Sequence, residues 1–412
     1  MIMKNRILII GCGWEQESLL QEIKKMGFYI IGTNPTVTAQ LLNYCDKYLV
    51  KDSNDIKSHI NIAETYEIDA VISDNCDYSL YTSSIVASAL KLPFVDIHSA
   101  LLSNNKFKQR QLIEAKKIRQ PRFRLIHTLD EIRDATIELQ YPVIVKPVDS
   151  RGTFGVTIVK KDSELRSAFF EAISNSPSKR VICEQFITGT LVTVDGFCFN
   201  EGHVSLTVAS RVFEEGLKPV TKEIIYPADF DDELILNLMH YHNEVVNTFK
   251  YTFGHTHGEY IVTEDQDIYL VECTNRGGGV YTSSTILPLL TEINVNKIYI
   301  DQCMGIDQYK FMPEGKTHMK NSVMLTFLDF QKGNVIESIN TEELNELPYV
   351  VKFRTIYKKN EMVESIEDCS SRHSMLVISS PNSPQTYRNL KDFKSKMKIK
   401  YYALGYMLWI IH

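Results

Sequence analysis

The stretch Gly258-Glu259-Tyr260-Ile261-Val262-Thr263-Glu264-Asp265-Gln266-Asp267-Ile268-Tyr269-Leu270-Val271-Glu272 decides how the rest of this chain is read. Two apolar runs flank a four-residue polar loop, which is the pattern of a β-hairpin. Pairing Thr263 with Ile268 sets Glu259 directly opposite Glu272. Like charges facing each other across a ladder destabilise a sheet, so the arrangement makes sense if a cation lies between them. Hard oxygen donors favour Mg²⁺ or Mn²⁺, and Asn275, three residues further on, adds a neutral oxygen. Two other readings stand beside this one. Solvated glutamates on an edge hairpin need no metal, and His255, His257 and Glu259 alternate along one strand face and suit a zinc-like cluster.

Downstream, Cys273-Thr274-Asn275-Arg276-Gly277-Gly278-Gly279-Val280 leads into an expected helix over 281–290. Three glycines before a helix, Gly277 and Gly278 among them, offer backbone N–H groups to an anion, and the Arg276 fork suits phosphate or carboxylate oxygens. A plain flexible loop has the same composition. Upstream, Lys146 is a lone cation in the apolar strand expected over 143–146. It precedes Asp149-Ser150-Arg151-Gly152-Thr153-Phe154-Gly155-Val156, which reads as a mobile phosphate loop without the GxxxxGK[ST] of a Walker A. Lys146 can serve as a fixed charge for nucleotide phosphates or be an exposed lysine on an edge strand. In Val181-Ile182-Cys183-Glu184-Gln185-Phe186-Ile187 an apolar strand meets a polar pair. A backbone hinge there can bond an adenine edge while Phe186 and Ile187 sandwich the ring.

Toward the N-terminus, apolar runs at 7–10, 28–32 and 70–73 alternate with amphipathic stretches, predicting a βαβα unit with a parallel sheet. Gly11 and Gly13 follow the first strand where a dinucleotide fingerprint would begin. Position 16 is Gln, however, and the second strand ends in Gly32-Thr33-Asn34 without a ribose-binding acid. A basic amphipathic segment at 106–117 and the boundary Gln120-Pro121 mark a second unit from about residue 100, and strands at 323–328, 350–356 and 375–378 mark a third. The 412 residues carry 45 Lys and Arg against 51 Asp and Glu, with 44% hydrophobic and 23% charged. That ordinary globular usage gives no sign of a nucleic-acid surface. No apolar run approaches the roughly 20 residues of a membrane helix, and no signal-peptide pattern opens the chain, so a cytoplasmic location is expected. Eight cysteines without a CxxC pair point away from structural zinc and from a disulfide framework.

The order of these features, Lys106, Lys146, the glycine loop, Glu184-Gln185-Phe186-Ile187, Glu259 and Glu272-x-x-Asn275-Arg276, resembles the ATP-grasp superfamily. The resemblance implies a mixed α/β and α+β fold. Its parts would be a Rossmann-like pre-ATP-grasp domain over 1–100, an ATP-grasp domain over 101–312 with a lid at about 121–183, and a β-rich cap over 313–412. It also implies roles. Lys106 and Lys146, with Ser150, Gly152 and Thr153, would bind ATP phosphates, and Glu184, Gln185, Phe186 and Ile187 would form the adenine hinge. Glu259, Glu272 and Asn275 would hold Mg²⁺ or Mn²⁺, and Arg276 would stabilise the reacting oxygens. Arg211, Arg372, Gly277 and Gly278 would bind substrate. Leu191 stands where family members commonly place a ribose-binding Glu.

Within the superfamily, the segments 222–228 and 272–279 look more like L-amino-acid ligases and carbamoyl-phosphate-synthase-like groups than like biotin carboxylase. The Glu-His pair that follows the arginine in biotin carboxylase is absent. The reaction so implied is an ATP-dependent, ADP-forming ligation of a small carboxylate, such as an amino acid, to an amine through an acyl phosphate. Activation of another acid such as a sugar acid, or nucleotide binding without ligase activity, are the alternatives; an oxidoreductase built on Gly11 and Gly13 is a third. The partners implied are small molecules, with no nucleic acid and no membrane. Members often form dimers, though no stretch of this sequence marks an interface for a homodimer.

Overall fold

The computed structural model describes residues 5–150, 154–213, 220–279, 281–306, 321–366 and 371–402. The first sheet is parallel, with strands ordered Lys47–Val50, Tyr29–Asn34, Arg6–Ile10 and Ala70–Ile72. Ile7, Leu8, Ile9 and Ile10 are all fully buried, as a parallel strand covered on both faces requires. The strand Lys47–Val50 lies at the sheet edge with exposed Lys47 and Val50, and its apolar run is only Tyr48-Leu49-Val50, fenced by Lys47 and Lys51. Four strands therefore stand where three were expected.

A second, antiparallel sheet has the order Phe123–Ile126, Val181–Gln185, Val143–Pro147, Thr157–Val159. The helices Leu129–Leu139 and Asp162–Ser174 pack with it into one core containing Val143, Val145, Val181 and Cys183. Because strand side chains alternate, Lys146 and Glu184 are turned to the opposite face. Lys146 is thus buried on an interior strand, not an exposed lysine on an edge.

The largest sheet has eight strands in the order Ile268–Thr274, Gly254–Val262, Thr190–Phe199, Gly202–Phe213, Thr221–Tyr226, Ser322–Thr326, Ser374–Ser380 and Val350–Thr355, every neighbouring pair antiparallel. The three strands expected after residue 313 continue the sheet that begins with the glutamate hairpin, while Ile336–Ile339 and Ile399–Tyr401 pair in a separate two-stranded sheet. Phe197, Phe199 and Leu206 from this sheet share a core with Ile7 and Ile30 from the first and Leu20 of the helix Glu17–Lys25, bridged by Tyr299 and Ile300 of the helix Val295–Cys303. Each such side chain contributes on the order of 1.5–3 kcal/mol, so the two sheets are held together where the functional residues meet. Among the described residues no helix is long and apolar enough to cross a membrane.

Candidate active site

The hairpin pairs Glu259 with Glu272, but by a different route from the one the sequence suggests. The register runs Val262 to Ile268, Ile261 to Tyr269 and Tyr260 to Leu270, and then a bulge brings Glu272 opposite Glu259. The turn closes one residue early, with the Thr263 N–H donating to the Asp267 carbonyl at 3.0 Å, and the bulge at Val271 restores the glutamate pair. Arg110 Nη2 donates to the freed Val271 carbonyl at 2.7 Å.

Each glutamate has its own cation. Lys106 Nζ lies 2.7 Å from Glu272 Oε2, and Arg211 Nη1 lies 2.9 Å from Glu259 Oε1. Burial would raise the Glu259 pKa, but Arg211, and after it His257, hold it well below the usual carboxylate range. Burial works against the charge of Lys106, yet Glu272 outweighs it and its pKa is raised. Arg211, expected on a substrate carboxylate, is therefore part of the glutamate pair's own charge balance. Asn275 is buried, and its Nδ2 donates to the carbonyls of Phe253 and His255 at 2.7 and 2.8 Å. Its Oδ1 has no hydrogen-bond partner among the described residues. A buried orphan acceptor three residues past Glu272, which Glu259 faces across the ladder, fits a hard cation.

The histidines do not form a zinc-like set. His257 Nδ1 is 2.7 Å from Asp195 Oδ1, and Asp195 outweighs burial to raise the His257 pKa. His255 packs between the rings of Phe197 and Tyr299 with its pKa lowered by burial. Among the described residues no group of three or more His, Cys, Asp and Glu side chains is arranged to hold a metal.

On the nucleotide-sheet side, Glu184 stands between two cations. Arg110 Nε and Nη2 donate to its two oxygens at 2.8 and 3.2 Å, and Lys146 Nζ approaches Oε2 at 2.7 Å. All three side chains are at most 5% exposed. Burial would raise the Glu184 pKa, but Arg110 and then Lys146 hold it down at about 2. Lys146 is itself lowered, by burial first, because one carboxylate cannot fully compensate two cations. Arg110 Nη1 is a buried donor without a partner among the described residues. The trio carries one net positive charge and an open donor, as an anion site would. Arg110 was missed from the sequence, although it sits one turn beyond Lys106 on the helix Lys106–Lys116, where i and i+4 side chains share a face.

Beyond Glu184, the N–H groups of Gln185 and Phe186 donate to the carbonyls of Arg122 and Pro142 at 2.9 and 3.2 Å. Among the described residues no acceptor meets the Ile187 N–H. The hinge therefore presents one free backbone donor beside buried Ile187 and half-buried Phe186. Lys106 Nζ also donates to the Ser150 carbonyl at 3.1 Å. Gly152 and Thr153 lie outside the described residues.

After the hairpin, the segment is tied to the first sheet. Arg276 Nε and Nη2 grip the two oxygens of Asp77 at 2.5 and 3.0 Å, and the Gly277 N–H donates to Asp74 Oδ1 at 2.7 Å. That N–H is thus taken by a carboxylate of the protein and is not open to a bound anion. A Cβ at Gly278 would lie 2.6 Å from Asp195 Oδ1 and 2.9 Å from His257 Nδ1, so close packing requires glycine there. The helix expected over 281–290 is a π-helical turn, Thr282–Ile286, followed by a short α-helix, Leu287–Thr291. Such π turns are frequent at functional sites. The Arg372 guanidinium lies over the Phe327 ring, 3.7 Å from its centroid. Asp74 and Asp77 carry no motif, and only their position just past a parallel strand could have pointed to them.

At the carboxyl ends of the parallel strands lies a cavity of about 380 Å³ whose wall includes Gly11, Trp14, Glu15, Asn34, Asp52 and Asn75. Among the described residues no Lys, Arg or His lines it, although the Arg354 guanidinium lies over the ring of the lining Trp14 at 4.8 Å. Its lining residue Cys76 adjoins Asp77, the partner of Arg276, so the cavity and the hairpin meet at this segment.

Residues 139–284 match the family model of the ATP-grasp domain. The chain carries an ATP-grasp domain. The match includes Lys146, Glu184, Glu259, Glu272 and Arg276. The whole chain also shares its fold with solved structures. It superposes on the L-amino acid ligase from Bacillus licheniformis with a TM-score of 0.84 at 18% identity, covering 97% of this chain and 100% of that one. For the phosphoribosylglycinamide synthetase from Anaerococcus prevotii the TM-score is 0.78 at 16% identity, covering 96% and 99%. In sequence, the chain is 25% identical over 214 residues to a formate-dependent phosphoribosylglycinamide formyltransferase of Prochlorococcus marinus (strain MIT 9515), covering 49% of this chain and 55% of the relative. It is 27% identical over 199 residues to a D-alanine–D-alanine ligase of Geotalea uraniireducens (strain Rf4), covering 47% and 61%. The chain thus spans little more than half the length of these relatives.

Proposed function

We propose that this ATP-grasp protein is an ADP-forming carboxylate–amine ligase acting on small molecules. The observation that carries the reading is the unbalanced charge at Glu184: two buried cations share one carboxylate, across from a facing pair of glutamates. ATP phosphates would take the open charge of Lys146 and the Arg110 side, with Lys106 between the two clusters. The Ile187 N–H would receive the adenine edge. Glu259 and Glu272, with the Asn275 Oδ1, would hold Mg²⁺, which when bound neutralises phosphoryl oxygens. Phosphoryl transfer is chiefly positioning and charge neutralisation, which accounts for a site of lysines, arginines and carboxylates without a Ser or Cys nucleophile.

The substrate carboxylate would attack the γ-phosphoryl group, giving an acyl phosphate and ADP, and an amine would then displace phosphate. Arg276, held on the Asp77 carboxylate, is pre-set in orientation and would face the developing charge. The cavity beside it supports an amine as the second substrate. Glu15 and Asp52 bring carboxylates, and Gln16 Oε1 and Asn75 Oδ1 are buried acceptors without partners among the described residues. Two carboxylates and two unpartnered acceptors, with no lining cation among the described residues, favour an ammonium-bearing molecule over a phosphorylated one. Free thiols at seven described cysteines suit the reducing cytoplasm.

The test is phosphate release from ATP and Mg²⁺ against a panel of carboxylates, each with and without amines, phosphorylated amines included. Release that needs both a carboxylate and an unphosphorylated amine is expected. ATP binding with no turnover by any pair would identify a nucleotide sensor instead.

A further inference from the structure

Two thiols outside the site described above meet face to face. Cys12, fully buried in the turn after the first strand, and Cys45, half-buried just before the strand Lys47–Val50, bring their sulfurs to 3.9 Å. They converge over Gly32 of the strand between them. A Cβ at Gly32 would stand 2.8 Å from Cys45 Sγ and 3.0 Å from Cys12 Sγ, so a side chain there would displace the sulfurs. Gly32 pairs with Ile9 and Tyr48 on its two sides, which fixes both cysteine-bearing segments around it.

We propose that Cys12 and Cys45 are a reversible redox pair that closes into a disulfide when a peroxide reaches Cys45. A disulfide bond measures about 2 Å, so closure needs the sulfurs to approach by roughly the same distance, within reach of side-chain rotation. The half-buried Cys45 sulfur would attack the peroxide, breaking the O–O bond. Cys45 is oxidised to sulfenic acid while the peroxide is reduced to water or an alcohol. Cys12 sulfur then attacks the Cys45 sulfur, and its proton leaves with the hydroxyl as a second water. A dithiol returns both sulfurs to thiols. The contact between the two sulfurs lowers the Cys45 pKa and raises that of Cys12, which agrees with attack by the less buried cysteine.

Closure would strap the 11–13 turn to the segment before the third strand. Tyr48 Oη, which donates to the Cys12 carbonyl at 3.2 Å and the Thr36 carbonyl at 3.0 Å, connects that turn to the cavity wall, where Gly11 and Thr36 both stand. The disulfide would therefore reshape the cavity that the ligase reading gives to the amine, and only this consequence rests on that reading.

The test treats the purified full chain with hydrogen peroxide and compares intact mass, native thiol count and peptide map before and after. The expected result is loss of two hydrogens, two fewer thiols, and one linked peptide joining Cys12 to Cys45, all reversed by dithiothreitol. Cys45→Ser should abolish the linked peptide; Cys12→Ser should leave Cys45 singly oxidised, and the wild-type map stands by itself if Cys12→Ser does not fold. Retention of both thiols, a link to Cys76 or another cysteine, or Cys45 sulfinic acid without a link would overturn the proposal. In the ligase assay, oxidation should raise the KM for the amine several-fold without changing that for ATP, and Cys45→Ser should not respond. A chain that forms the disulfide but joins no carboxylate to an amine would refute the ligase reading and leave the redox pair standing; a ligase that forms no disulfide would do the reverse.

Discussion

Two carboxylate clusters share one helix as the source of a cation and solve opposite problems. At Glu184, Arg110 and Lys146 outnumber the carboxylate two to one in a fully buried setting. At the hairpin, Glu259 and Glu272 are matched one to one by Arg211 and Lys106, with both glutamates half-buried. Lys106 and Arg110, on successive turns of one helix, divide themselves between the two. The difference teaches that the first cluster is short of negative charge, whereas the second would have to release its cations to take the metal proposed for it. A nucleotide bringing phosphates and a divalent ion supplies both at once.

The largest way to break this comparison is Glu184→Gln. Removing the shared carboxylate leaves two buried cations, a situation that costs about 3–5 kcal/mol, so urea unfolding should show a loss of that size, partly recovered by saturating ATP. A loss below about 1 kcal/mol would mean that solvent already screens the trio. Next comes Arg276→Ala, which should lower turnover on the order of a hundred- to a thousandfold while ATP binding, read by calorimetry, persists. Equal loss of both would move Arg276 from the reacting oxygens to the nucleotide. Glu272→Gln should keep the fold, being half-buried, and lower Mg²⁺-dependent turnover by about a hundredfold or more; activity near wild type would remove the metal from the hairpin.

Acid sharpens the same contrast. Glu184 has its pKa depressed from the ordinary 4.5 to about 2. Its stabilising contribution is therefore complete above pH 4.5 and is lost as pH falls through about 2. Stability measured by denaturant between those values should decline, and Glu184→Gln should flatten that part of the curve. The smallest effect is expected at Arg372, whose stacking on Phe327 is worth about 0.5–1 kcal/mol. Arg372→Ala should lower stability by that amount, and a large rise in the KM for the carboxylate would give it the substrate role its sequence position suggested.

Much of this was legible in the sequence, and what was not has definite physical causes. The glutamate pairing could be read from alternation, but the bulge at Val271 could not, because its carbonyl is satisfied by Arg110 from a helix about 160 residues away. Lys146 stood out as a charge in an apolar strand. Its partners were hidden: Glu184 looked like part of the hinge and Arg110 like one cation among several on an amphipathic helix. The glycines after Arg276 suggested an anion cradle, yet Asp74 fills the Gly277 donor from a loop with no local signature. The edge strand Lys47–Val50 escaped because its apolar run is three residues long and fenced by Lys47 and Lys51.

The most direct test of the central claim uses a substrate pair found in the panel, with the carboxylate oxygens labelled with heavy oxygen. Attack by that carboxylate on the γ-phosphoryl group carries one labelled oxygen into inorganic phosphate. We predict ADP as the nucleotide product and label in the released phosphate, dependent on Glu272 and Arg276. AMP as the product, with the label in AMP, would contradict the account and make this an adenylating enzyme.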